Sequence, residues 1–140
     1  MESLRFGAID YFYMLLRLVH TYMTNQQKEE LQEEELTIGI SIGDYNGIGP
    51  EVIIKTLMDN RVLRQARIVI YGSTRILGYY RKVLKLSNFN YQTVQSVEEA
   101  RSRKINVINV NQDNPDIEPG VVAQEADQFA FAALEAATQA

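Results

Sequence analysis

Nine consecutive residues hold most of the chain's capacity for chemistry. Gly43-Asp44-Tyr45-Asn46-Gly47-Ile48-Gly49-Pro50-Glu51 puts three glycines, two carboxylates, an amide and a phenol into one turn-forming run. Glycines at this density let the backbone turn tightly and approach a ligand closely. Pro50 suits the first turn of a helix, where its missing N–H costs nothing, and Glu51 complements the positive end of the helix dipole. Backbone N–H groups at such a helix start can meet an anion. The spacing is neither the G-x-G-x-x-G dinucleotide fingerprint nor a P-loop, because no G-K-[ST] follows. On spacing alone, an anion cradle and a tight ligand-free connection both stay open.

The elements that must position this loop are legible on either side of it. Leu36 to Ile42 is apolar and rich in β-branched residues, the length of one buried strand. After the loop, Val52, Ile53, Leu57 and Met58 give a helix its apolar face, and Asp59-Asn60 reads as its stop. Arg67 to Tyr71 predicts a second strand. Gly72-Ser73 then turns the chain into a helix capped by Ser73 or Thr74 and running to about Leu86. Tyr91 to Val94 predicts a short strand, and Val97 to Arg103 a helical turn. Ile105 to Val110 alternates apolar residues with asparagines, which predicts a strand whose asparagines sit at turn edges or in solvent. Asn111 to Gly120 is a loop. An Ala-rich helix follows from Val121, with Val122, Ala126, Phe129, Ala133 and Ala136 near one face. Strands alternating with helices give an α/β class: a partial, mostly parallel sheet with flanking helices.

Composition narrows the functions. The 140 residues carry a net charge of −4 and show no basic patch with interleaved aromatics, which argues against a nucleic-acid partner. The absence of cysteine excludes disulfides, zinc–thiolate sites and a cysteine nucleophile. The single histidine, His20, cannot build a three-histidine metal site. Asp113, Asp116 and Glu118 lack the spacing of a calcium loop. Tyr79 to Lys82 reads as packed rings beside solvated cations, not as a nucleotide-stacking patch.

Residues 1–35 read as an N-terminal extension and acidic linker ahead of an α/β part at 36–140. Arg5, Asp10, Arg17 and His20 interrupt the apolar stretch at 3–23, and its core, Tyr11 to Leu16, falls far short of the ~20 residues a membrane-spanning helix needs. The expectation is a cytoplasmic chain that does not enter a membrane, with Met23 as its natural start.

The loop string resembles the GD-x-x-GIGPE opening of the 4-hydroxythreonine-4-phosphate dehydrogenases of pyridoxine biosynthesis. A shorter form, GDGIGPE, opens the isocitrate and isopropylmalate dehydrogenases, and the longer spacing matches the first family. The resemblance runs from about Leu36 to Ala140 and includes the Pro119-Gly120-Val121 entry to the last helix. Tyr45-Asn46 stands where that family usually has Pro-Ala, and Asp127 where a glycine is frequent. The resemblance implies an isopropylmalate-dehydrogenase-like fold. It also implies a homodimer that oxidises 4-phosphooxy-L-threonine, with decarboxylation, using NAD and a divalent metal in pyridoxal phosphate biosynthesis. The family's metal histidines and its Gly-His-Thr substrate segment lie beyond the point matching Ala140. No catalytic, cofactor, substrate or metal residue is therefore carried over. Gly43, Asp44, Asn46, Gly47, Ile48 and Gly49 are the cleft-lining candidates. The chain is expected to be an amino-terminal fragment, inactive alone and marginally stable, because a partial sheet leaves a strand edge open. A related sugar-acid-phosphate or isopropylmalate-type dehydrogenase, and a non-catalytic α/β binding module, are the alternatives.

Overall fold

A computed structural model describes residues 12–17, 35–111 and 114–140. The chain forms two units, Met1–Leu36 and Thr37–Ala140. In the first, residues 12–17 are helical. His20, Met23 and the acidic run 24–34 lie outside the described residues.

The second unit is a four-stranded, wholly parallel sheet with flanking helices, the expected class. Its order is β1 (Thr37–Ser41), α1 (Gly49–Leu57), α2 (Asn60–Gln65), β2 (Arg67–Gly72), α3 (Thr74–Val83), β3 (Gln92–Thr93), a 3-10 turn at Val97–Glu99, β4 (Ile105–Asn109) and α4 (Gln124–Gln139). The strands lie in the order β1-β2-β4-β3. Ile38 pairs with Ile68, Ile68 with Ile105, and Asn106 with Gln92.

β2 is the centre of the core. Ile68, Val69, Ile70 and Tyr71 are all buried, as expected of a strand covered on both faces. Val69 and Tyr71 pack with Ala100, and Val97, Ala136 and Ala137 close that side, so α4 covers one face. Side chains alternate along a strand, so Ile68 and Ile70 point to the other face. There α1, α2 and α3 supply the buried Ile54, Leu57, Val62, Ile76 and Leu77.

One expected boundary holds with an addition: α1 stops at Leu57, just ahead of Asp59-Asn60, and the Asp59 carboxylate also accepts the Arg61 N–H at 2.9 Å and caps a further short helix, α2. Helix stops and helix starts use the same residue types, and only the following register separates them. Three local expectations change. α3 ends at Val83, and Lys85 just beyond it takes a left-handed backbone conformation, φ 56°. α4 begins at Gln124, and Val122 is 91% exposed, off the packed stripe. Asn106 is wholly buried, not at a turn edge or in solvent. Its Oδ1 accepts from Gln92 Nε2 at 2.7 Å and from the Arg101 N–H at 2.9 Å. Its Nδ2 donates to the carbonyls of Ile68 (2.9 Å), Arg101 (3.0 Å) and Lys104 (3.1 Å). A two-residue period shows that a strand has two faces, not whether partners wait on the polar one.

Candidate functional site

The β1–α1 loop is built by close backbone approach. Gly43 has φ +73°, a conformation that disfavours any side chain. The Asp44 carboxylate accepts the Asn46 N–H at 2.8 Å and its carbonyl accepts the Gly47 N–H at 3.1 Å, which closes the turn. A Cβ on Gly49 would lie 2.8 Å from the Ile42 carbonyl oxygen, so only glycine lets the helix start there. Pro50 follows, buried, in the first turn of α1.

Tyr45 and Asn46 turn inward. Asn46 is 3% exposed. Its Oδ1 accepts the Glu118 N–H at 2.8 Å, its Nδ2 donates to the Val121 carbonyl at 3.1 Å, and its own carbonyl accepts the Gly120 N–H at 2.7 Å. One residue thereby ties the β1–α1 loop to the chain entering α4. The Tyr45 carbonyl accepts the Tyr80 hydroxyl of α3 at 2.6 Å, and the Tyr45 ring meets Phe129 of α4 edge-on, 5.6 Å between centroids. Burial first, then the carboxylates of Glu125, Asp44 and Asp116, hold the Tyr45 phenol above its ordinary value of 10.0. Burial raises the Tyr80 phenol as well. Both phenols are neutral at neutral pH. Of the six cleft-lining candidates, Gly43, Asp44, Gly47 and Gly49 are half-buried and Ile48 is 73% exposed, while Asn46 is enclosed.

A second region lies at the carboxyl ends of the strands. A cavity of about 690 Å³ opens among Ser73, Thr74 and Arg75 after β2, Asn109 at the end of β4, and Tyr91 and Gln95 on either side of β3. Asn109 Oδ1 accepts from both the N–H and the hydroxyl of Thr74, at 2.8 and 3.2 Å. Ser73 Oγ accepts the Arg75 N–H at 3.2 Å, and the Tyr91 hydroxyl donates to the Thr74 carbonyl at 3.0 Å. A neighbouring cavity of about 390 Å³ is lined by Tyr45, Asp116, Glu125 and Phe129, and the two share Asn111 and Asn114. None of the six candidate residues lines either cavity. The sequence pattern offers Ser73 only as a helix cap and Asn109 only as a turn-edge or solvent-facing residue. The rule that open α/β sheets bind ligands beyond their strand carboxyl ends was the signal available to find them.

Among the described residues no group of three or more histidine, aspartate or glutamate side chains is placed to hold a metal ion. The donor set present therefore does not fit the metal that the resemblance implies. No helix among the described residues is long and apolar enough to cross a membrane.

No family model matches the chain. Solved structures share its architecture. The 4-hydroxythreonine-4-phosphate dehydrogenase from Burkholderia phymatum superposes with a TM-score of 0.65 at 23% identity, a likeness of fold alone. The one from Klebsiella pneumoniae gives 0.62 at 31% identity, covering 76% of this chain and 33% of that one. Fold and loop thus define a segment of the α/β dehydrogenase class. Sequence narrows the class. The 4-hydroxythreonine-4-phosphate dehydrogenase of Bacteroides thetaiotaomicron is 36% identical over 109 residues, 78% of this chain and 30% of the relative. The D-threonate 4-phosphate dehydrogenase of Cupriavidus necator is 41% identical over 64 residues, 46% of this chain and 19% of that relative. In its matched part the chain belongs to the 4-hydroxythreonine-4-phosphate dehydrogenase family. It spans about 30% of the length of the Bacteroides relative.

Proposed function

We propose that residues 36–140 form one part of a dehydrogenase that oxidises 4-phosphooxy-L-threonine, with decarboxylation, in pyridoxal phosphate biosynthesis. Residues 1–35 are an extension and linker. The working enzyme uses NAD and a divalent metal, assembles as a homodimer and resides in the cytoplasm. The 140-residue chain is inactive alone, because the resemblance places the family's metal histidines and Gly-His-Thr segment beyond the point matching Ala140. When bound, NAD accepts the hydride. This chain's part is scaffolding: Gly43, Asp44, Gly47, Ile48 and Gly49 form one wall of a cleft, and Asn46 fixes that wall against the entry to α4.

One observation carries this reading, the 36% identity to the Bacteroides enzyme across 109 residues that include the glycine-rich loop. A chimera tests it. The matched segment of the Bacteroides enzyme is replaced by residues 36–140 of this chain and assayed with 4-phosphooxy-L-threonine, NAD and a divalent cation. Turnover by the chimera and none by the 140-residue chain is the expected pair of results. A folded but inactive chimera overturns the dehydrogenase reading, and turnover by the chain alone overturns the assignment as inactive. The likeness to the Cupriavidus enzyme favours a second reading, a related acid-phosphate dehydrogenase. Assaying the chimera with D-threonate 4-phosphate in parallel addresses it.

A further inference from the structure

We propose that the crevice between the carboxyl ends of β2 and β4 binds a phosphate group carried on a hydroxylated small molecule. Neighbouring strands β2 and β4 send the chain to opposite faces of the sheet. After β2 it enters α3, on the face of Ile68 and Ile70; after β4 it proceeds to α4, on the face of Val69 and Tyr71. This divergence is a topological switch point, where the connections part and leave a crevice beyond the strand ends. The 690 Å³ cavity lies there, within the roughly 300–1,000 Å³ range of small-molecule sites and larger than a free phosphate requires.

The lining chemistry selects the ligand. Ser73, Thr74 and Tyr91 bring hydroxyls, and Gln95 and Asn109 bring amides, groups that both donate to and accept from hydroxyls. Arg75 stands exposed on the first turn of α3 as a guanidinium suited to a phosphate's oxygens. Among the described residues the cavity has no carboxylate in its lining, although the chain as a whole carries a net charge of −4. The geometry is set in advance. Asn109 Oδ1 is held by Thr74, which leaves its amide nitrogen to donate. The Thr74 and Arg75 backbone N–H groups are already taken by Asn109 and Ser73. Recognition therefore falls to side chains, not to the helix terminus.

The choice of ligands rests on the dehydrogenase reading, which offers two sources of such a phosphate, the dinucleotide and the phosphorylated hydroxy-amino acid. Titration calorimetry on the full chain separates them, with nicotinamide mononucleotide and 4-phosphooxy-L-threonine as probes and nicotinamide riboside and 4-hydroxy-L-threonine as their phosphate-free counterparts. The expected result is that at least one phosphorylated probe binds about tenfold or more tightly than its counterpart. Arg75→Gln and Gln95→Glu should each weaken it about tenfold, and Lys55→Gln, on α1 outside the cavity, should not change it. The same substitutions in the chimera give a second measurement, a KM raised about tenfold for the ligand that binds. No binding by either probe, equal binding of a probe and its counterpart, or indifference to Arg75→Gln in both proteins overturns the proposal. A chimera that turns over normally with the crevice variants leaves the dehydrogenase reading standing and removes this one.

Discussion

The β1–α1 loop and the β2/β4 crevice have similar residue types and opposite organisation. Both combine hydroxyl, amide and turn-forming residues beside a helix start. In the loop Asn46 faces inward and is satisfied by Glu118, Gly120 and Val121, while the Tyr45 carbonyl accepts the Tyr80 hydroxyl and the Tyr45 ring packs edge-on against Phe129. In the crevice, hydrogen bonds of Ser73, Thr74 and Asn109 set the walls and leave a cavity between them. Glycine density thus marks close packing of backbone as readily as it marks a ligand. A polar-lined cavity marks a candidate ligand site more directly.

The contrast can be broken by substitution. Asn46→Ala should have the largest effect, a loss of about 2–3 kcal/mol in urea unfolding, because it strands the Glu118 N–H and Val121 carbonyl away from their partner. A loss below about 0.5 kcal/mol, the size of an ordinary surface change, would show that the loop is not a structural tie. Gly49→Ala should come next, at about 2 kcal/mol, since its Cβ must displace the Ile42 carbonyl; a neutral result would refute the close-approach account. Tyr80→Phe should remove about 1 kcal/mol by deleting the 2.6 Å bond to Tyr45, and thermal denaturation against the parent chain measures it. Arg75→Gln and Gln95→Ala should stay within about 0.5 kcal/mol of the parent, because both side chains are exposed crevice residues. If they destabilise as much as Asn46→Ala, the crevice is packing and the contrast fails.

The smallest effect is expected at the α2 cap. The Arg61 guanidinium, with the Arg61 N–H, holds the Asp59 carboxyl at about 2, below its ordinary 3.8. The folded pKa is the lower one, so this group's contribution to stability is present above pH 3.8 and is lost as pH falls through about 2. Asp59→Asn should flatten the acid limb of a pH–stability profile in that window. An unchanged slope would mean that the pair is screened by solvent at this exposed site.

Much of the fold was readable because its signals are local. The β-branched runs at Thr37–Ser41 and Arg67–Gly72, the Ser73 cap and the spacing of Ala126, Phe129 and Ala133 each lie within a few residues. Less of the candidate site was readable. The loop residues could be named from their types, but their roles depend on groups distant in the chain: Glu118 and Val121 lie 72 and 75 positions from Asn46. The role of Asn106 is hidden for the same reason, since its hydrogen bonds reach Ile68 and the 101–104 turn.

The α/β class, the place of the tight turn and the family likeness follow from the order of residues, because periodicity, backbone preference and a nine-residue string need no neighbours from elsewhere. The tertiary structure alone decided that Asn46 faces inward while Ile48 faces out. It also decided that Asn106 is a buried hub and that a polar-lined cavity opens beside Thr74 and Asn109. Hydrogen-bond satisfaction and cavities belong to surfaces brought together by folding, and residues 35 apart, as Thr74 and Asn109 are, meet only once the sheet has formed.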